Sequence, residues 1–120
     1  MLSTNKYGML VELVRETSGF FGLVYVALRS PDLSARRIAR RVRAGGHDVP
    51  REKLAERWNR SLEILPWFAG RASRFWAYDN SDGTLDGGPP VLLAEGREGR
   101  VQIYEPDAIP ALTEVLRPLV

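Results

Sequence analysis

The chain has 120 residues, about one domain, and its 44% hydrophobic content with aromatics spread along its length excludes wholesale disorder. It carries no cysteine, so a disulfide framework, a thiol nucleophile and a cysteine metal site are all excluded. The formal net charge is only +2, but residues 36–60 hold nine Arg or Lys against three acids, while residues 61–120 hold five against nine; such a local basic patch points to one anionic partner site.

Residues 1–6 lack the apolar core of a signal peptide. A cytoplasmic location is the expectation, because a reducing compartment suits a chain without cysteine. Residues 5–18 read as a helix with an apolar stripe of Tyr7, Leu10, Val11 and Val14, and Gly19 is expected to end it. The run from Phe20 to Leu28 contains no polar residue except a tyrosine. It is far too short to span a membrane and reads as a strand buried on both faces, as in a parallel sheet.

Ser30-Pro31-Asp32 is a helix start: an N-cap serine, a proline at the first position and an acid near the positive end of the dipole. The helix is predicted to run to about Arg43, with Ala35, Ile38, Ala39 and Val42 as its apolar seam and arginines elsewhere. Gly45 or Gly46 supplies the left-handed cap. Pro50 opens a second helix, predicted to reach Leu65 along Leu54, Trp58, Ser61 and Leu62 and to be closed by Pro66. A strand is expected from Ser73 to Asp79, a polar loop from Asn80 to Pro90, a hairpin of 91–95 with 101–104, and a closing helix over 107–117. Strands separated by helices predict an α/β layer with parallel pairing, built as a single domain over residues 1–120.

Arg41 and Arg57 are the candidate chemical residues. The first lies near the end of the basic helix and the second about two turns into the next. An antiparallel hairpin brings both guanidinium groups toward one anion, and planar guanidinium suits phosphate. The competing reading is a solvated face held by pairs such as Glu52–Arg57 or Glu56–Arg60. His47 stands without cysteines or clustered acids, so no zinc site is expected. Asp79-Asn80-Ser81 falls at the end of the second strand, where α/β sheets bind ligands; Asn80 suits a base or ribose, and an ordinary turn is the alternative.

The run Arg41-x-x-x-Gly45-Gly46-His47-Asp48-Val49-Pro50, followed by Arg57-Trp58 and Ser61-Leu62, resembles the lid region of zeta-toxin-like P-loop kinases. Leu23 to Leu28 with Ser30-Pro31, then Tyr78-Asp79-Asn80-Ser81 and the hairpin from Val91 to Tyr104, extend the resemblance over roughly residues 8–105. It implies a partial P-loop kinase-like layered fold, with a helical lid hairpin at about 31–65 and a small C-terminal β-hairpin. It implies transfer of the ATP γ-phosphate to a small molecule, a UDP-linked amino sugar in the toxin members, with magnesium as the metal. Arg41 and Arg57 would be the lid arginines on the phosphates, and Asn80 would lie near the adenine.

The family's G-x-x-x-x-G-K-[ST] run does not occur in this sequence; Gly45-Gly46 and Gly87-Gly88 are followed by His47 and Pro89. The resemblance is therefore to the C-terminal half of such a kinase, inactive alone. An apolar strand without its phosphate-loop neighbour presents an open edge, so a protein partner, self-association or cover by the N-terminal helix is expected. The alternative is a basic helical hairpin that binds nucleic acid or protein without catalysis.

Overall fold

The structure is a computed structural model, and it describes residues 7–45, 50–81 and 89–120, leaving out the side chain of Arg51. Gly46, His47, Asp48 and Val49, and residues 82–88 of the polar loop, lie outside the described residues. The elements follow in the order α1 (Gly8–Glu16), β1 (Gly22–Ala27), α2 (Pro31–Arg43), α3 (Arg51–Arg71), β2 (Arg74–Asp79), β3 (Val91–Arg97), β4 (Arg100–Ile103) and α4 (Pro110–Leu116), with a 3-10 turn at Arg117–Leu119. This is an α/β protein. Its described strands make one four-stranded mixed sheet ordered β1-β2-β3-β4, with β1 parallel to β2 and both later pairs antiparallel.

The core lies between α3 and α4 and one face of this sheet. Leu65 of α3 meets Phe75 and Ala77 of β2, and all three are fully buried, while Phe68, 1% exposed, packs edge-on against Phe21 and Trp67. Leu112 and Leu116 of α4 close the β3–β4 side. A register shift after Ala77 pairs Ala77 with Ala94 but Tyr78 with Leu92. Leu93 is thus an extra residue in its strand, which lets Leu93 and Ala94 both be buried in succession.

Strand β1 differs from its expected burial on both faces. Leu23, Tyr25 and Ala27 turn toward the core, whereas Val24 and Val26 are 60% and 58% exposed. The helices pack on one face only, so a run that reads as continuously apolar becomes an alternating strand with a solvent-facing apolar side. It is also the sheet edge, since its one sheet neighbour is β2.

Helix α3 likewise departs from expectation, because Pro66 sits inside it and the helix continues to Arg71. A proline in a helix costs about 3 kcal/mol through a lost hydrogen bond and a ring clash. Continuing the helix buries Phe68 and Ala69 beside Leu65, and each large side chain is worth about 1.5–3 kcal/mol on burial. The burial outweighs the proline. In α1 the predicted stripe is not buried: Val11 is, but Tyr7 and Leu10 are more than half exposed. Helix α1 is held by an ion pair of 3.0 Å from Glu12 to Arg71, whose guanidinium lies 4.0 Å over the Trp67 ring. Ser18, not Gly19, takes the positive φ that follows this helix.

Helix α2 begins and ends as predicted. The Ser30 hydroxyl accepts from the Leu33 N–H at 3.4 Å, and Gly45 follows the C-cap at φ +100°. Its buried side differs: Leu33 and Arg37 are buried, and Ala39 is exposed. Glu98 and Gly99 join β3 to β4 with φ of 52° and 83°, the type I′ hairpin geometry.

These two glycines make a contrasting pair. A Cβ at Gly99 would meet the Gly70 carbonyl oxygen at 2.6 Å, whereas one at Gly45 meets nothing within 4 Å. Gly45→Ala is expected to cost about 1–2 kcal/mol from backbone strain alone, and Gly99→Ala distinctly more, because strain and collision add. Urea denaturation of the two variants checks this; equal losses would mean that the hairpin moves freely away from α3.

Candidate functional site

Chain geometry at the C-terminal ends of the parallel pair assembles the site. Strand β1 runs out through Leu28 and Arg29 into the Ser30 cap of α2, and β2 runs out through Asp79 into Asn80 and Ser81. The two exits are tied together. The Asn80 N–H donates to the Ala27 carbonyl at 2.9 Å, and the Arg29 N–H donates to the Ser81 hydroxyl at 2.9 Å. The Ser81 N–H in turn donates to Asp79 Oδ1 at 2.8 Å, an Asx turn.

Both hairpin helices are fastened to the same place. Trp58 Nε1 of α3 donates to the Leu28 carbonyl at 3.0 Å. Arg37 Nη2 of α2 donates to the Asn80 carbonyl at 2.6 Å. Arg37 is only 6% exposed, and its Nε is buried without a hydrogen-bond partner. A buried guanidinium is costly unless paired, so its bond to the turn after β2 is a constraint on where that turn can sit. Sequence reasoning counted Arg37 with the exposed basic face. The available signal was its spacing, one turn after buried Leu33.

Asp79 is occupied as a turn acceptor rather than presented as a base. Asn80 has both backbone groups engaged, while its side-chain amide has no partner among the described residues. Arg41 and Arg57 are exposed and have no ion pair or hydrogen bond among the described residues. By contrast, the expected Glu56–Arg60 pair forms at 3.6 Å. Arg41 stands two turns beyond Ser34 on α2, and Arg57 lies between Leu54 and Ser61 along one side of α3. Ser34, Leu54 and Ser61 all line a groove of about 480 Å³ beside β1, so both arginines belong to the sides of the hairpin that bound this groove.

The groove is mostly apolar. Leu23, Val24 and Val26 line it along the edge of β1, together with Trp58 and Tyr7. Among its lining residues Tyr25 and Ser61 pair through their hydroxyl oxygens, 2.6 Å apart. Burial pushes the Tyr25 phenol above its ordinary value, with the Ser61 bond opposing this. On the other side of the sheet, Tyr104 donates to Glu95 at 3.0 Å and Arg74 donates at 2.8 Å. The tyrosine bond, followed by Arg74, holds the Glu95 carboxyl below its usual range, although partial desolvation acts the other way.

Among the described residues no group of three His, Asp or Glu side chains comes together to hold a metal ion. The described residues therefore assign no ligand to magnesium. No described helix is long and apolar enough to cross a membrane. Comparison with protein-family models, with curated proteins and with solved structures finds no match.

The Tyr25–Ser61 pair has a pH signature. Because the folded state favours the neutral phenol, its contribution is complete below the ordinary tyrosine value near 10 and is lost as pH rises through the raised folded value. Tyr25→Phe is expected to cost about 1 kcal/mol at neutral pH by leaving the Ser61 hydroxyl without its partner. The gap between wild type and variant should shrink above about pH 10. Urea denaturation at neutral and alkaline pH reads both; a gap that widens with pH contradicts the burial argument.

Proposed function

We propose that this chain is the lid and nucleotide-base side of a phosphotransferase similar to zeta-toxin-like P-loop kinases, which pass the ATP γ-phosphate to a small acceptor such as a UDP-linked amino sugar. What supports the reading is that Arg41 and Arg57, on the two helices that follow β1, are exposed and have no ion pair or hydrogen bond among the described residues, and that Asn80 directly follows β2, the strand parallel to β1. Arginine forks stabilise the charge that develops on a transferring phosphoryl group. Asn80, held by Ala27 and Arg37 through its backbone, has a side-chain amide without a partner among the described residues, which suits a base edge.

In such a transfer the acceptor oxygen bonds to the γ-phosphorus as the bond to the bridging β–γ oxygen breaks, ADP leaves with the electron pair, and the acceptor hydroxyl proton passes to a base. In this reading Arg41 and Arg57 neutralise charge and Asn80 meets the adenine, and no described residue is assigned as the proton acceptor. The sequence contains no phosphate loop, so the reading requires a phosphate-loop-bearing element for turnover.

The exposed arginines of α2 also favour a second reading, a basic hairpin that binds duplex nucleic acid through phosphate contacts. A single experiment separates the two. Arginine side-chain NMR signals and the Asn80 amide are followed during titration with ATP, AMP and a DNA duplex. The kinase reading expects ATP to move Arg41, Arg57 and Asn80 together, AMP to move mainly Asn80, and Arg41→Gln with Arg57→Gln to weaken ATP about tenfold or more. If millimolar ATP leaves both arginines unmoved while duplex DNA shifts Arg36 and Arg43 in a salt-dependent way, the nucleic-acid reading replaces it.

A further inference from the structure

The free edge of β1 has a defined hydrogen-bonding pattern. The Phe21 carbonyl accepts from Ser73 and Arg74, and the Ala27 carbonyl accepts from Asn80. With the register Leu23 to Phe75 and Tyr25 to Ala77, the odd-numbered residues point their backbone groups at β2. In a parallel ladder the alternate residues then point the other way. Gly22, Val24 and Val26 thus present N–H and carbonyl groups to the outside, without partners among the described residues.

Nothing along this edge discourages pairing. The strand Gly-Leu-Val-Tyr-Val-Ala has no lysine, proline or bulge, the devices by which proteins protect open edges. The apolar groove runs beside it, between β1 and the Leu54–Ser61 stretch of α3. Arg41 and Arg57, both exposed and unpaired among the described residues, stand on the hairpin sides that bound it.

We propose that this groove is a β-augmentation site. It takes an extended peptide segment that is uncharged over about six residues and carries carboxylates at the end nearest Arg41 and Arg57. Charge complementarity selects this occupant over a second copy of the chain. In either strand direction a second copy brings residues near its own β1, such as Phe20, Phe21, Leu28 or Arg29, to those arginines; its nearest acids, Glu16 before the strand and Asp32 after it, do not adjoin the paired segment. The proposal rests on the anion-reading role given above to Arg41 and Arg57, while the strand pairing itself needs no nucleotide.

The probe is an acetylated, amidated peptide of three Thr-Val repeats ended by two aspartates, with a companion carrying the aspartates first. Amide exchange of the 15N-labelled protein is followed by NMR. Without peptide, the Leu23, Tyr25 and Ala27 amides are expected to be protected, and Gly22, Val24 and Val26 to exchange freely. One of the two peptides should slow exchange at Gly22, Val24 and Val26 by about tenfold or more. The same peptide N-methylated at alternate residues should not. Val24→Pro removes only an outward N–H, which an edge strand tolerates, and should abolish the added protection at Gly22 and Val26.

Replacing the aspartates by asparagines should weaken binding about tenfold in wild type, and not at all in the Arg41→Gln, Arg57→Gln protein. No added protection at millimolar peptide overturns the proposal. So does protection without peptide that rises with protein concentration, which identifies a second copy as the occupant. Protection by aspartate and asparagine peptides alike overturns the charge assignment. Peptide protection in a protein whose arginines ignore ATP would sink the nucleotide reading and leave the strand site standing.

Discussion

The parallel pairing of β1 with β2 is the constraint on which the rest of the molecule depends. It sets the two strand exits side by side, from Ala27 into α2 and from Asp79 into the Asn80–Ser81 turn. Because parallel strands need a long crossover, the whole α2–α3 hairpin is inserted between them and must return across one sheet face. Arg37 and Trp58 then lock the hairpin to the exits through backbone carbonyls of Asn80 and Leu28. These are hydrogen bonds to groups that would otherwise lie half-buried and unsatisfied, so they position the hairpin more sharply than apolar contact alone.

The same pairing leaves an asymmetry. Parallel strands are ordinarily covered on both faces, yet here Val24 and Val26 face outward beside half-buried Trp76 and Tyr78, and the outer backbone of β1 is unpaired among the described residues. Helix α1 relieves this only in part, since Tyr7 reaches the groove while Met9, Leu10 and Leu13 remain exposed. The groove and the exposed valines are thus consequences of one strand left uncovered by the described elements.

Much of the fold was legible in the chain because local signals were strong. Ser30-Pro31 and Gly45 mark the ends of α2 through capping chemistry that acts within a turn. The Glu98-Gly99 turn follows from the spacing of two apolar runs. The site was legible in part. Asp79, Asn80 and Ser81 fall at the strand end where the sequence pattern puts them, whereas Arg37, one of five arginines on its helix, is marked only by its spacing one turn after Leu33.

The sequence by itself determined the α/β class, the helix and strand order and the concentration of positive charge on one hairpin, since these depend on short-range propensity and composition. Tertiary structure decided the rest. Pro66 stays within α3 because Phe68 and Ala69 gain more from burial than the proline removes. Strand β1 is exposed on one face because no described helix lies over Val24 and Val26, which depends on the placement of elements far away in the chain. Tyr25 finds Ser61, 36 residues on, and Arg37 finds Asn80, 43 residues on. Bonds at such separation exist only once the hairpin has closed over the sheet, so no local pattern in the sequence encodes them.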